Sequence, residues 1–395
     1  MKTPSQLFII LTLLLTQCGN KKEKMSFFEN FRMKALTIVN KQEFQNAPIN
    51  SMQYRTETND TIISFFNKNM TSIVFKGIGK SNFKDTVPLH NLFSENEIES
   101  YIKHLYINNN MVFILANKMN YEMSRLDYFV FHVDMQGNNI QAWDIAELTG
   151  INEPYFCLKS SFQNPITYID GNLIISANIL SHSKEVIKDV SKTPTELILN
   201  TKTNEAHFVY GKPEIYGNGK YYGNHVHNHS KVFLNDTVYV VSFPIDHYLY
   251  KYNINGELIE KHQCKSEFID EFKDFEWSEN ISFEKIIEIQ ITQAYYTQLA
   301  YDSHNKLIYR LALHEQDALI SSGEKASFFD RSFSLMVIDE KLQIVGEYYI
   351  PTYHLHPWMI ETNLSGGPFF GLVNFDMSLL CIAQYEFFPL KQNKK

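Results

Sequence analysis

Apolar residues along this chain come in short runs separated by Asn, Asp and Gly, a pattern of strands and tight turns rather than helices. The same arrangement recurs five times: MQYRTETNDTIISFF from Met52, YIKHLYINNNMVFILAN from Tyr101, NPITYIDGNLIISAN from Asn164, HSKVFLNDTVYVVSF from His229 and QLAYDSHNKLIYRLAL from Gln298. Each is a short strand, a turn and an apolar, β-branched strand. The turn residues Asn59-Asp60, Asn109-Asn110, Gly171-Asn172, Asn235-Asp236 and Asn305-Lys306 align. Asn, Asp and Gly tolerate the positive φ that tight hairpins need. A second strand pair follows in several units, around residues 127–140, 248–259 and 334–348, with Asp134, Asn253 and Asp339 placed as turn formers.

Four short strands per unit, repeating roughly every 45 to 70 residues, predict an all-β β-propeller. The expected architecture is six blades of four antiparallel strands. Residues 357–387 supply the sixth blade, and an N-terminal strand near residues 35–39 closes the ring by adding its outer strand. Two separate β-sandwiches are the weaker alternative, because no Pro/Gly/Ser-rich linker divides the chain. Short helices are expected only at 96–106 and 267–276.

The amino terminus changes the picture. Residues 7–15 (LFIILTLLL) form an apolar run of signal-peptide length, too short to span a bilayer. Leu15-Thr16-Gln17-Cys18 follows and resembles the bacterial lipoprotein signal, in which the Cys becomes the acylated first residue; Gln17 departs from the usual small residue before it. The polar stretch GNKKEK then reads as a tether. The expected organisation is a signal peptide over 1–17, a lipidated tether over 18–30 and one propeller domain over 31–395. The implied location is the cell envelope, held to a membrane through Cys18, with the outer membrane as the expected site.

The chain has 395 residues, a net charge of −8 and 14% aromatic residues. An acidic balance argues against nucleic acid as a partner. The three cysteines beyond Cys18 match no metal spacing. A lipobox followed by such blades resembles the uncharacterised six-bladed β-propeller lipoproteins of Bacteroidetes, a family of unknown function. That resemblance covers the whole mature chain and implies a cell-envelope protein; it carries over no catalytic residues.

Two groups of residues are candidates for chemistry. His225, His227 and His229 alternate, so on a strand they would share a face suited to Zn or Cu; His354 and His356 repeat the alternation. No other cofactor motif stands out. Counting back from the aligned turns, Arg55, Lys103, His229 and Lys231 share one strand parity. As inner-strand residues they would line a central channel with positive charge and attract a carboxylate, a phosphate or an acidic sugar. The reading is therefore a ligand- or protein-binding propeller in the envelope, with an envelope protein or an anionic small molecule or glycan as partner. The alternative is a metal-assisted or glycan-active hydrolase or lyase.

Overall fold

The computed structural model describes residues 27, 31–40, 51–55, 60–67, 71–78, 84–89, 92, 100–108, 111–122, 125–150, 156–159, 164, 166–179, 190–217, 219–275, 281–351, 355–362, 368–372 and 379–387. Strand β1 (Phe31–Asn40) stands apart from the meanders that follow it. Sheet I holds β2 (Ser51–Arg55), β3 (Asp60–Phe66), β4 (Ser72–Ile78) and β5 (Lys84–Pro88). Sheet II holds β6 (Ser100–Asn108), β7 (Met111–Asn120), β8 (Arg125–Val133) and β9 (Asn139–Asp144). Sheet III holds β10 (Phe156–Lys159) and β11 (Thr167–Ile169), which pair with the two halves of β12 (Asn172–Ile179), then β13 (Pro194–Asn200) and β14 (Glu205–Tyr210). Sheet IV runs β15 (Ser230–Asn235), β16 (Val238–Ser242), β17 (Tyr248–Asn253) and β18 (Leu258–Gln263). Sheet V runs β19 (Tyr295–Asp302), β20 (Leu307–Leu313), β21 (Phe333–Asp339) and β22 (Ile344–Ile350). Sheet VI joins β23 (Leu355–Thr362), β24 (Pro368–Leu372) and β25 (Leu379–Phe387) to β1, which is its outer strand.

The fold is all-β and propeller-like: every strand pairing is antiparallel, and the core lies between consecutive sheets. Val87 and Phe75 of sheet I pack on Ile114 and Phe131 of sheet II. Trp143 and Leu115 of sheet II pack on Leu173 and Leu197 of sheet III. Val240 and Leu249 of sheet IV meet Ile308 and Met336 of sheet V. Phe27, Phe31 and Tyr385 join Leu311 and Leu335 at the junction of sheets V and VI.

Antiparallel meanders put alternate connections at opposite ends of a sheet. In sheets II, IV and V the Asx turns that close the last hairpin lie at one end, here the turn end. Asp134 Oδ1 accepts from the Gln136 and Asn138 amides, each at 2.9 Å, and Asp339 Oδ1 from the Lys341 and Gln343 amides at 2.9 and 2.8 Å. Asn253 does the same for Asn255 and Glu257. These residues are turn formers, as expected. The long connections, including 211–229, 243–247, 264–294 and 314–332, gather at the opposite, loop end.

The helix expectations fail. Residues 100–108 form β6, pairing antiparallel with residues 111–117 of β7 across two register shifts. Residues 267–275 form turns and extended chain, held where the Glu267 amide reaches Glu347 and the Phe275 amide reaches the Tyr221 carbonyl. Helices occur instead at α1 (Ile145–Thr149), capped by Asp144, and α2 (Phe283–Thr292), capped by Ser282. Among the described residues no helix is long and apolar enough to cross a membrane.

Candidate functional site

The loop end of sheets III to V concentrates buried polar groups. At its centre is Glu196, the one acid in the apolar strand PTELILN, and 1% exposed. Its Oε2 accepts from Lys231 Nζ at 2.6 Å, and its Oε1 lies 2.6 Å from His229 Nε2. Lys231 Nζ also donates to Ser176 Oγ at 3.2 Å. Glu196 belongs to sheet III, while Lys231 and the residue just before β15 belong to sheet IV, so the cluster bridges two sheets. Asn164 Nδ2 donates to the His229 carbonyl, and Asn178 Nδ2 to Asn228 Oδ1, across the same junction.

Electrostatics fix the protonation of this cluster. Burial opposes charge on Glu196, but the Lys231 ammonium and His229 outweigh it and hold the carboxyl below its usual range. Burial also lowers the pKa of His229, against the pull of Glu196, so the ring is neutral near pH 7. A carboxylate only accepts, so Nε2 carries the proton and Nδ1 is left as an acceptor with no hydrogen-bond partner.

His229 and Lys231 thus share a face, as their parity predicts. They do not present free charge to a channel: a carboxylate from the neighbouring sheet takes both. Strand counting could not find Glu196, since the pairing spans 35 residues of sequence from Glu196 to Lys231. The available signal was a lone glutamate inside an apolar run. Arg55 and Lys103 lie on β2 and β6, but their side chains are outside the described residues.

The His225/His227/His229 stretch also departs from expectation. Asn224–His227 is a 3-10 turn, which rotates successive side chains instead of alternating them. Accordingly His225 packs against the Tyr295 ring at 4.5 Å, His227 lies 6.2 Å from Tyr216, and His229 turns to Glu196. The three do not form the single metal-binding face expected of a strand. Among the described residues no group of three His, Cys, Asp or Glu side chains is arranged to hold a metal ion. His354 lies outside the described residues, as does the side chain of His356 on β23.

Three further basic side chains are buried in sheets III to V and their connections. Lys212 is 7% exposed and donates to Thr193 Oγ1 at 2.8 Å; burial brings its pKa down to about 7. Arg310 donates Nε to Ser242 Oγ at 2.8 Å, and its Nη atoms to carbonyls of Cys264 and Asp246 at 2.9 and 2.7 Å. Arg331 donates to the carbonyls of His314, Gln290 and Gln293. Among the described residues they hydrogen-bond to hydroxyl and carbonyl oxygens. Nearby, Glu347 Oε1 accepts hydrogen bonds from the hydroxyls of Ser266, at 2.5 Å, and Ser334, and Ser334 Oγ is 3.1 Å from His314 Nε2. The set resembles a nucleophile with a base, but Ser334 is 0% exposed and its hydroxyl is already committed to the carboxylate. It is an internal hydrogen-bond chain.

Fold and site together define a propeller-like all-β protein with a charged, densely bonded loop end. Residues 122–349, more than half of the chain, match the family model described as Domain of unknown function (DUF4221), and the chain belongs to that family. Its structure is similar to the crystal structure of a DUF4221 member from Bacteroides vulgatus: TM-score 0.65, 17% identity, covering 93% of this chain and 99% of that one. Weaker likenesses reach Kuenenia stuttgartiensis hydrazine synthase, at TM-score 0.44, 10% identity and coverage of 83% and 74%. The β-propeller domain of the Trilobed protease from Pyrococcus furiosus follows at TM-score 0.36, 12% identity and coverage of 83% and 78%. No curated protein matches the sequence.

Proposed function

We propose that this protein is a lipid-anchored envelope protein whose six-bladed propeller binds an anionic ligand, or an acidic patch on a protein partner, at its loop end. The observation that carries the reading is the pair Arg310 and Arg331, buried guanidiniums at one end of a chain of net charge −8 and hydrogen-bonded to neutral oxygens, with Lys212, whose pKa burial brings to about 7, as a third basic group. Asp246 and Glu347 offset part of the Arg310 charge and Glu315 part of that on Arg331; the positive charge left in this low-dielectric region favours anions at the adjacent surface. The six-sheet order, the packing of consecutive sheets and the pairing of β1 with β25 support the six-bladed, N-terminally closed ring. The Leu15–Cys18 motif supports the anchor.

The test is ligand-dependent thermal stability of the protein against citrate, inorganic phosphate and a uronic-acid oligosaccharide. A ligand at 100 times its Kd stabilises by about 2.7 kcal/mol, a readily measured rise in Tm. The rise should shrink in Lys212→Met. No shift with any anion at millimolar concentration counts against the reading. For the anchor, Cys18→Ala should release the protein from the membrane fraction.

A further inference from the structure

The direction of β1 decides which end of the body the anchor holds. β1 lies in the outer position of sheet VI, antiparallel to β25. Phe31 pairs with Phe387 and Asn40 with Leu379. β25 runs from the loop end to the turn end, as β21 does in sheet V, so Phe31 sits at the turn end and the chain before it leaves there. Phe27 is also fixed: it is 0% exposed, stacks on Phe31 at 4.4 Å and meets Tyr385 edge-on at 5.0 Å.

We infer that the turn end faces the lipid surface and the loop end faces away from it. The inference rests on acylation of Cys18, as proposed above. From Cys18 to Phe27 is 27 − 18 = 9 residues, a contour of at most ~30 Å at ~3.3–3.6 Å per residue. From Phe31 to Asn40 the strand itself climbs about 30 Å toward the loop end. Laying the loop end on the bilayer would therefore require the tether to run fully extended along the flank of the body. Laying the turn end there requires no extension.

The surfaces agree with this division. Near the turn end the outer strands expose aliphatic Ile140, Leu258, Ile259, Ile344 and Val345, with polar turn tips between them. Such a face rests at a headgroup interface without inserting. The loop end, with the buried cations and the Glu196 cluster, is then presented to soluble or neighbouring partners. This gives the proposed binding face a direction: it takes ligands from the aqueous side, not from the membrane.

The test uses the full chain, produced with its signal in a bacterial host, purified from membranes and reconstituted into vesicles bearing a headgroup-linked energy-transfer acceptor. Donors are placed on Asn255→Cys at a turn tip and on Glu271→Cys in the loop end of the same sheet, with Cys157→Ser as the common background. Both added sites are exposed. Mass spectrometry of the Cys18 peptide reports acylation in the same sample. The expected result is an acylated Cys18 with transfer several-fold more efficient from position 255 than from 271. Equal or reversed efficiencies with Cys18 acylated overturn the orientation alone. An unmodified Cys18 overturns the anchor, and the orientation with it.

Discussion

The guanidinium carbon of Arg310 lies 3.4 Å from the centroid of the Tyr296 ring. Arg310 rises from sheet V, and its acceptors at Ser242, Phe243, Asp246, His247 and Cys264 all belong to sheet IV or the connections leaving it. The side chain is 0% exposed, so a full charge is solvated by carbonyl dipoles, one hydroxyl and an aromatic face in place of water.

Arg310→Met keeps much of the volume and removes every one of these bonds. The loss expected in urea denaturation is about 3 kcal/mol or more, since several buried oxygens lose their donor together. Arg310→Lys keeps the charge but reaches fewer acceptors and should fall in between. A loss below about 1 kcal/mol for the Met variant would show that these bonds do not hold the junction.

Glu196→Gln strands the Lys231 ammonium in a site with 1% side-chain exposure. Breaking a buried pair by removing one partner costs about 3–5 kcal/mol, whereas replacing all partners with apolar groups is often close to neutral. The triple variant Glu196→Leu, Lys231→Met, His229→Phe should therefore be more stable than Glu196→Gln alone. The opposite order, read from the same denaturation curves, would sink the account of the cluster as an inter-sheet pair.

Mild acid should destabilise the fold before any ordinary carboxylate titrates. Burial, aided by Arg331, lowers the pKa of His225 to about 3, and burial, aided by Arg310, lowers that of His247 to about 4. Both folded-state values lie below the unfolded one, so the unfolded chain binds protons first. Stability is then fully present above the unfolded histidine value near 6.5 and is lost as pH falls below it, at up to ~1.4 kcal/mol per pH unit for each ring. Unfolding free energies between pH 7 and 5 should show this slope, and His225→Leu should flatten it. A pH-independent wild-type stability in that range would refute it.

Gly137 at the turn end of sheet II has φ +79°, and a Cβ there would lie 2.0 Å from the Pro88 carbonyl oxygen at the edge of sheet I. Gly137→Ala thus adds a clash with backbone to left-handed strain. A destabilisation of at least about 2 kcal/mol is expected, above the ~1 kcal/mol of φ strain alone. Thermal denaturation measures it, and an effect near zero would mean that the two sheets separate there at no cost.

Local chemistry was the legible part of the sequence. Asp134, Asn253 and Asp339 announce their turns because an Asx side chain bonds amides two to four residues ahead, a relationship contained within five residues. Strand parity likewise placed His229 and Lys231 together. The helix at 283–292 is not among those expected from the sequence: FEKIIEIQIT is rich in β-branched residues, and it becomes α2 through its Ser282 cap and the burial of Ile289. Glu196, Arg310 and Arg331 were invisible as a site for a different reason. Glu196 and Arg310 take partners from a neighbouring sheet, and Arg331 takes His314 from its own connection and Gln290 and Gln293 from α2 and its C-cap, so only the packed fold brings them within bonding distance.

Pairing Phe31 with Phe387 joins residues 387 − 31 = 356 positions apart. Sheet VI therefore cannot be completed until β25 has been made and delivered. Until then β1 is an unpaired edge, and Phe27 and Phe31 lack the Tyr385 and Phe387 rings that cover them. The meeting of β1 and β25 is a contact of very long sequence separation, the kind that raises contact order and slows folding. A chain truncated before β25 would carry five finished sheets and still expose β1 as an adhesive edge, so the nine-residue β25 is what seals the sixth sheet.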